Sequence, residues 1–97
     1  MKFEWDESKN QRIRAQRGVS VEDAVFAIRT GGLLDVVDNP QGRYPDQRVL
    51  IVLVDEYVYL VPCLVGDQTC VLKTMYPSRK ATRPYLGGSD DGHEEDQ

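Results

Sequence analysis

The sequence predicts an α+β domain of two N-terminal helices packed on a small twisted antiparallel sheet, in the order β-α-α-β-β-β-β. Three observations predict it. Helix start and stop signals crowd the first third of the chain: Asp6 and Ser20 precede helix-forming runs, and Gly18 and Gly31-Gly32 follow them. Three strand-like runs then fill Gln47 to Tyr76, separated by short polar turns. Finally, 97 residues with 40% hydrophobic content suit one folded domain with a modest core.

Lys2 to Trp5 reads as a short strand with Phe3 and Trp5 on one face. Asp6 is a good N-cap for a helix over Glu7–Arg17, and Glu7 suits its first turn. Ile13 is the only large apolar residue of that helix, so it is expected on the surface with one anchor point. Gly18 ends it. Ser20-Val21-Glu22-Asp23 resembles a capping box, and Val21, Ala24, Val25 and Ile28 follow the spacing of a core-facing helix stripe. Leu33 to Val37 is a strand, and Asp38-Asn39-Pro40-Gln41-Gly42 opens a loop running to Pro45.

The runs Gln47–Val54, Tyr57–Val65 and Thr69–Tyr76 are expected to form an antiparallel meander, with Asp55-Glu56 and Gly66-Asp67 as hairpin turns, the second of type II′. Gln47–Val54 is apolar on both faces and is therefore expected to be central and helix-covered. Pro62 lacks a ladder donor and marks an edge or a bulge. Ser78 can cap a last short helix that Pro84 limits. The domain is expected to span residues 1–86, and residues 87–97 read as a flexible acidic tail.

The net charge of -4 misleads about partners. Five acids lie within residues 90–97, and all twelve Lys and Arg precede residue 84. Taking those five from the sixteen acids leaves eleven against twelve bases. The body therefore need not repel nucleic acid, although it is not a strongly basic binder. No apolar run is long enough to span a membrane, and Met-Lys-Phe-Glu-Trp-Asp has no signal-peptide core, which points to a cytoplasmic protein without membrane contact. Cys63 and Cys70 do not make a metal site, and no cofactor is implied. With Gly66-Asp67 as the turn they would face each other; buried free thiols are the default, and a disulfide is the alternative.

The segments Phe3-Glu4-Trp5-Asp6-Glu7-Ser8-Lys9-Asn10, Gly18-Val19-Ser20-Val21-Glu22-Asp23 and Ser78-Arg79-Lys80-Ala81-Thr82 together resemble the BrnT toxins of type II toxin–antitoxin pairs, across most of residues 2–83. The resemblance implies a RelE-like fold, metal-independent endoribonuclease activity that inhibits translation, and neutralisation by a cognate antitoxin of the ribbon-helix-helix type. Promoter DNA would be met only through that antitoxin. Arg17 stands where many members have His, Pro84 shortens a helix that is longer in many members, and Tyr57 to Pro62 belongs to a divergent branch.

RNA cleavage by 2′-OH attack needs a base, cations for the phosphorane charge and an acid for the leaving oxygen. The only histidine, His93, lies in the tail, so composition excludes a pair of catalytic histidines. Candidates for catalysis are therefore Lys73, Arg79, Lys80 and Arg48, with Arg83, Tyr76, Tyr85, Lys9 and Arg12 as RNA contacts. Guanidinium forks match phosphate oxygens, and tyrosines can stack on bases. Lys73 alternates with Val71 and Met75 and would stand either in solvent or over a binding surface. As the proton-transfer group it would need burial or neighbouring cations.

Each residue also has a plain reading. Arg79, Lys80 and Arg83 can form a solvated cluster, Arg48 can pair with Asp46 or Asp35, the tyrosines can be packing groups, and Lys9, Arg12 and Gln16 can be one solvated helix face. At the level of function the alternatives are a non-catalytic protein-binding domain that keeps the toxin fold and an interaction module without toxin ancestry.

Overall fold

A computed structural model describes residues 1–39 and 46–83. The loop residues 40–45, Pro84, Tyr85 and the expected tail lie outside the described residues. The described residues form an α+β fold with three helices and a mixed six-stranded sheet. The elements are β1 (Lys2–Trp5), α1 (Glu7–Arg17), α2 (Val21–Arg29), β2 (Leu33–Asp38), β3 (Gln47–Val54), β4 (Tyr57–Val65), β5 (Thr69–Leu72), β6 (Tyr76–Pro77) and α3 (Arg79–Thr82). No helix among the described residues is long and apolar enough to cross a membrane.

The helix signals act as their chemistry requires. Asp6 accepts the Ser8 and Lys9 N–H groups at the start of α1, and Gly18 closes it at φ 75°. Ser20 and Asp23 form a reciprocal capping box on α2. Ile13 is not the only anchor of α1, because Asn10 is fully buried beside it. The Asn10 Oδ1 accepts the Val21 N–H at 2.7 Å, and its Nδ2 donates to Glu22 at 2.8 Å and to Glu7 at 3.3 Å. Arg14 adds an ion pair to Glu22 at 2.9 Å. This amide ties the side of α1 to the first turn of α2.

The Asn10 hydrogen bond, helped by Ser20 and Arg14, holds the Glu22 carboxyl below its ordinary value of 4.5. A carboxyl depressed by folding adds stability above its unfolded pKa and loses it as pH falls through the folded pKa. The stability gap between wild type and Glu22→Gln should therefore be widest at neutral pH and should close as pH drops below 4.5. Urea titrations from pH 7 to pH 3 measure that gap; one independent of pH would show that the carboxylate charge plays no part.

The strand order is β1-β5-β4-β3-β2, so β4 is the middle strand and β3 is interior beside it. The expected all-antiparallel sheet is corrected by β1, which pairs in parallel with β5 from Lys2↔Thr69 to Trp5↔Leu72. Most of the chain separates these two strands, and alternation within a strand does not encode its partner or direction. Asp55 and Glu56 form the predicted two-residue turn, with φ 52° and 66°, as a type I′ turn requires.

The second turn falls one residue later than expected. The Gly66 N–H bonds to the Thr69 carbonyl at 2.8 Å, leaving Asp67-Gln68 at the tip. Moving a turn by one residue moves the register by two, so Cys63 pairs with Leu72 and Cys70 with Val65. The cysteines are diagonal neighbours, free and buried. A hydrogen bond with Cys70, together with burial, pushes the Cys63 thiol up.

The run Thr69–Tyr76 is not one strand. Pairing passes from Cys63↔Leu72 to Leu60↔Tyr76, so four steps on this side match three on β4. The extra residue makes a bulge at Lys73–Met75. It lies opposite Pro62, whose carbonyl accepts the Lys73 N–H at 2.8 Å and which has no donor to return. The bulge reverses the expected phase: Met75 turns fully into the core, while Lys73 is exposed. That core lies between α1 and α2, with Ile13, Val21, Ala24 and Ala27, and the sheet face bearing Leu50, Val52, Val54, Val61, Cys63 and Leu72.

Candidate nucleic-acid interface

The basic end of the sheet is built by α3. Ser78 caps this helix by accepting the Ala81 N–H at 3.2 Å. Thr82 is nearly fully buried; its hydroxyl accepts the Val58 N–H at 2.8 Å and donates to the Ser78 carbonyl at 2.6 Å. The Ser78 N–H in turn bonds to the Val58 carbonyl at 2.9 Å. Both backbone groups of Val58 are thus taken by the Ser78–Thr82 segment beyond the short β6 pairing. The two hydroxyl residues of the Ser-Arg-Lys-Ala-Thr motif fasten the helix, and the two cations between them are exposed.

Arg79 and Arg83 lie one turn apart, with the Arg83 N–H bonded to the Arg79 carbonyl. Arg83 is half-buried, and Tyr76, in β6 just before the helix, is 38% exposed. Tyr85 lies outside the described residues. Lys73 sits in the bulge, in solvent and not in a low-dielectric pocket. Lys9, from the first turn of α1, donates to the Lys73 carbonyl at 3.4 Å, so the fold joins two candidates 64 residues apart in sequence. Arg12 is exposed on the same helix.

Arg48 stands apart from Arg79 and Lys80. It pairs with Cys63 at one end of β4, whereas α3 fastens to Val58 near the other. Five residues of strand amount to roughly 17 Å. Its ion partner is Asp38, at 3.4 Å on the neighbouring β2, in place of the expected Asp46 or Asp35. The fold therefore brings Arg79, Lys80, Arg83 and Tyr76 together, puts Lys73 and Lys9 beside the bulge, and leaves Arg48 bound to the β2 edge.

Trp5 is half-buried against the core, and its indole N–H donates to Glu7 at 3.1 Å. Among the described residues no three of His, Cys, Asp and Glu gather as metal ligands.

Two residues that organise these surfaces were missed from the sequence. Asn10 lies three positions before Ile13, hence on the same helical face, and that spacing was the available signal. Thr82 carried only its motif as a signal. No family model and no curated protein matches the sequence.

Proposed function

We propose that this chain is a BrnT-like toxin, with a RelE-like fold, which cleaves RNA in the cytoplasm without a metal and is held inactive by a cognate antitoxin. The observation that supports this most is the fastening of the Ser78–Thr82 segment to β4, which holds Arg79 and Lys80 in solvent beside the exposed Tyr76. In the reaction, a ribose 2′-OH attacks the adjacent phosphorus and the bond to the 5′-oxygen breaks. The products are a 2′,3′-cyclic phosphate and a 5′-hydroxyl. Arg79 and Lys80 meet the charge on the phosphoryl oxygens, and Tyr76 stacks on a base. Solvent water takes the 2′-OH proton and gives one to the 5′-oxygen as it leaves, while Lys73, exposed in the bulge, is a further cation for the RNA backbone.

The double variant Arg79→Ala/Lys80→Ala should lower the cleavage rate of single-stranded RNA in EDTA by about a hundredfold, with each lost cation contributing roughly tenfold. Both side chains are exposed, so thermal unfolding should barely move. Equal cleavage by wild type and variant would remove α3 from the site.

A second reading, a non-catalytic protein-binding domain on the same fold, is favoured by the position of Arg48, which is tied to Asp38 away from α3. Expression in a bacterial host separates the two. Growth arrest relieved by a small neighbouring gene product supports the toxin, whereas unimpeded growth supports the binder.

A further inference from the structure

The helix α2 carries an anomaly. Its stripe of Val21, Ala24 and Ala27 is buried, yet Phe26 is 70% exposed, more than any other large hydrophobic side chain among the described residues. The ring borders a concavity of about 370 Å³ between α2 and the β3–β4 turn. Asp23, Phe26 and Thr30 line it from the helix, and Leu53 and Asp55 from the strand end and turn. Gly32 lines it too; a Cβ there would meet the Leu53 carbonyl at 2.8 Å and the Ala27 carbonyl at 3.0 Å.

The charges around this groove are one-sided. Asp23 spends one oxygen, Oδ2, on the Ser20 N–H, as part of the capping box. Asp55 is exposed at the tip of the type I′ turn and makes no hydrogen bond or ion pair among the described residues. Glu56 follows it, also exposed. The groove runs along α2 from Asp23 in its first turn to Thr30 at its C-cap, where aligned peptide dipoles favour a cation. The helix's own last-turn cation does not serve there: Arg29 sits 5.1 Å over the Phe3 ring and reaches toward the Met1 carbonyl. An exposed aromatic face beside two carboxylates is complementary to a planar cation with an apolar stem.

We infer that this groove docks an arginine side chain, flanked by apolar residues, from a protein partner: the guanidinium lies on Phe26 and bonds to Asp55 and the free oxygen of Asp23. The site does not depend on RNA cleavage, since it uses none of the cations assigned to that reaction.

The test is a titration of the full-length, ¹⁵N-labelled chain with the peptide acetyl-Leu-Arg-Leu-amide. Amide shifts should be confined to residues 23–32 and 53–56. The isosteric peptide with citrulline in place of arginine should shift the same residues far less. Asp55→Asn keeps a residue type suited to positive φ and should weaken binding about tenfold. Phe26→Ala, at an exposed helix position, should weaken it about threefold. Short single-stranded RNA should leave these residues unmoved. Absence of binding, equal shifts from both peptides, shifts centred elsewhere, RNA shifting the same residues, or an unchanged affinity in Asp55→Asn would each overturn the assignment.

Discussion

Replacing Asn10 with alanine should lower the unfolding free energy by about 2–4 kcal/mol, a large fraction of the total for a domain of this size. The side chain is fully buried and makes three hydrogen bonds. Alanine removes the acceptor of the Val21 N–H, which lies under α1 and finds no replacement. An unsatisfied buried donor costs about 1–3 kcal/mol, and the vacated volume adds a cavity term. Glu22 loses the hydrogen bond that does most to hold its carboxyl below the ordinary value at the same time.

Urea unfolding measures this as a lower midpoint at unchanged slope. The aspartate variant, Asn10→Asp, separates the contributions. It keeps the acceptor for Val21 but sets a carboxylate against Glu22 and Glu7, so it should be strongly destabilised at pH 7 and recover as the medium is acidified. If Asn10→Ala unfolds like wild type, the α1–α2 contact rests on Ile13 and the Arg14–Glu22 pair without the buried amide.

The sequence made the local devices legible and left the non-local ones hidden. Asp6, Gly18 and the Ser20–Asp23 box act through backbone groups within four residues, so their residue types announce their geometry. The same holds for the Asp55-Glu56 turn. The parallel partner of β1 cannot be read this way, because it is chosen by the whole fold. The position of the second turn was missed because Gly66 attracts a turn prediction, yet it serves as the residue that closes the ladder onto Thr69.

Pro62 signalled an edge or bulge on its own strand, and the irregularity appeared on the opposite one, at Lys73–Met75. That displacement matters for the candidate site, because it takes Lys73 out of phase with Met75 and into solvent. The grouping of cations was readable only where they are sequence neighbours, as in Arg79, Lys80 and Arg83. Arg48 is distant from them in sequence, and register places it about five residues away along β4 from the Val58 anchor of α3.

The most direct link between fold and proposed chemistry is Thr82, and Thr82→Val is the variant that tests it. Valine matches threonine in shape but can neither accept the Val58 N–H nor donate to the Ser78 carbonyl. Leaving the Val58 N–H unpaired in a buried setting should cost about 1–3 kcal/mol. The loss is concentrated at one contact, so its first consequence is local: the Val58 amide, protected in wild type, should exchange with solvent much faster.

The Ser78–Val58 backbone bond remains, but α3 keeps only one of its ties to β4 and no longer fixes the direction of Arg79 and Lys80. RNA cleavage should fall by at least tenfold, since transition-state contacts depend on placement to within about an ångström. Thr82→Ser retains the hydroxyl and should restore both the exchange protection and most of the activity, at a cost of about 1 kcal/mol for the missing methyl group. This pair distinguishes a positioning role from mere bulk, because valine fills the space without the hydrogen bonds while serine supplies the bonds without the full volume. Were valine to protect Val58 and cleave RNA as well as threonine does, the hydroxyl would not be what holds α3, and the basic segment would owe its position to the strand pairing of β6 alone.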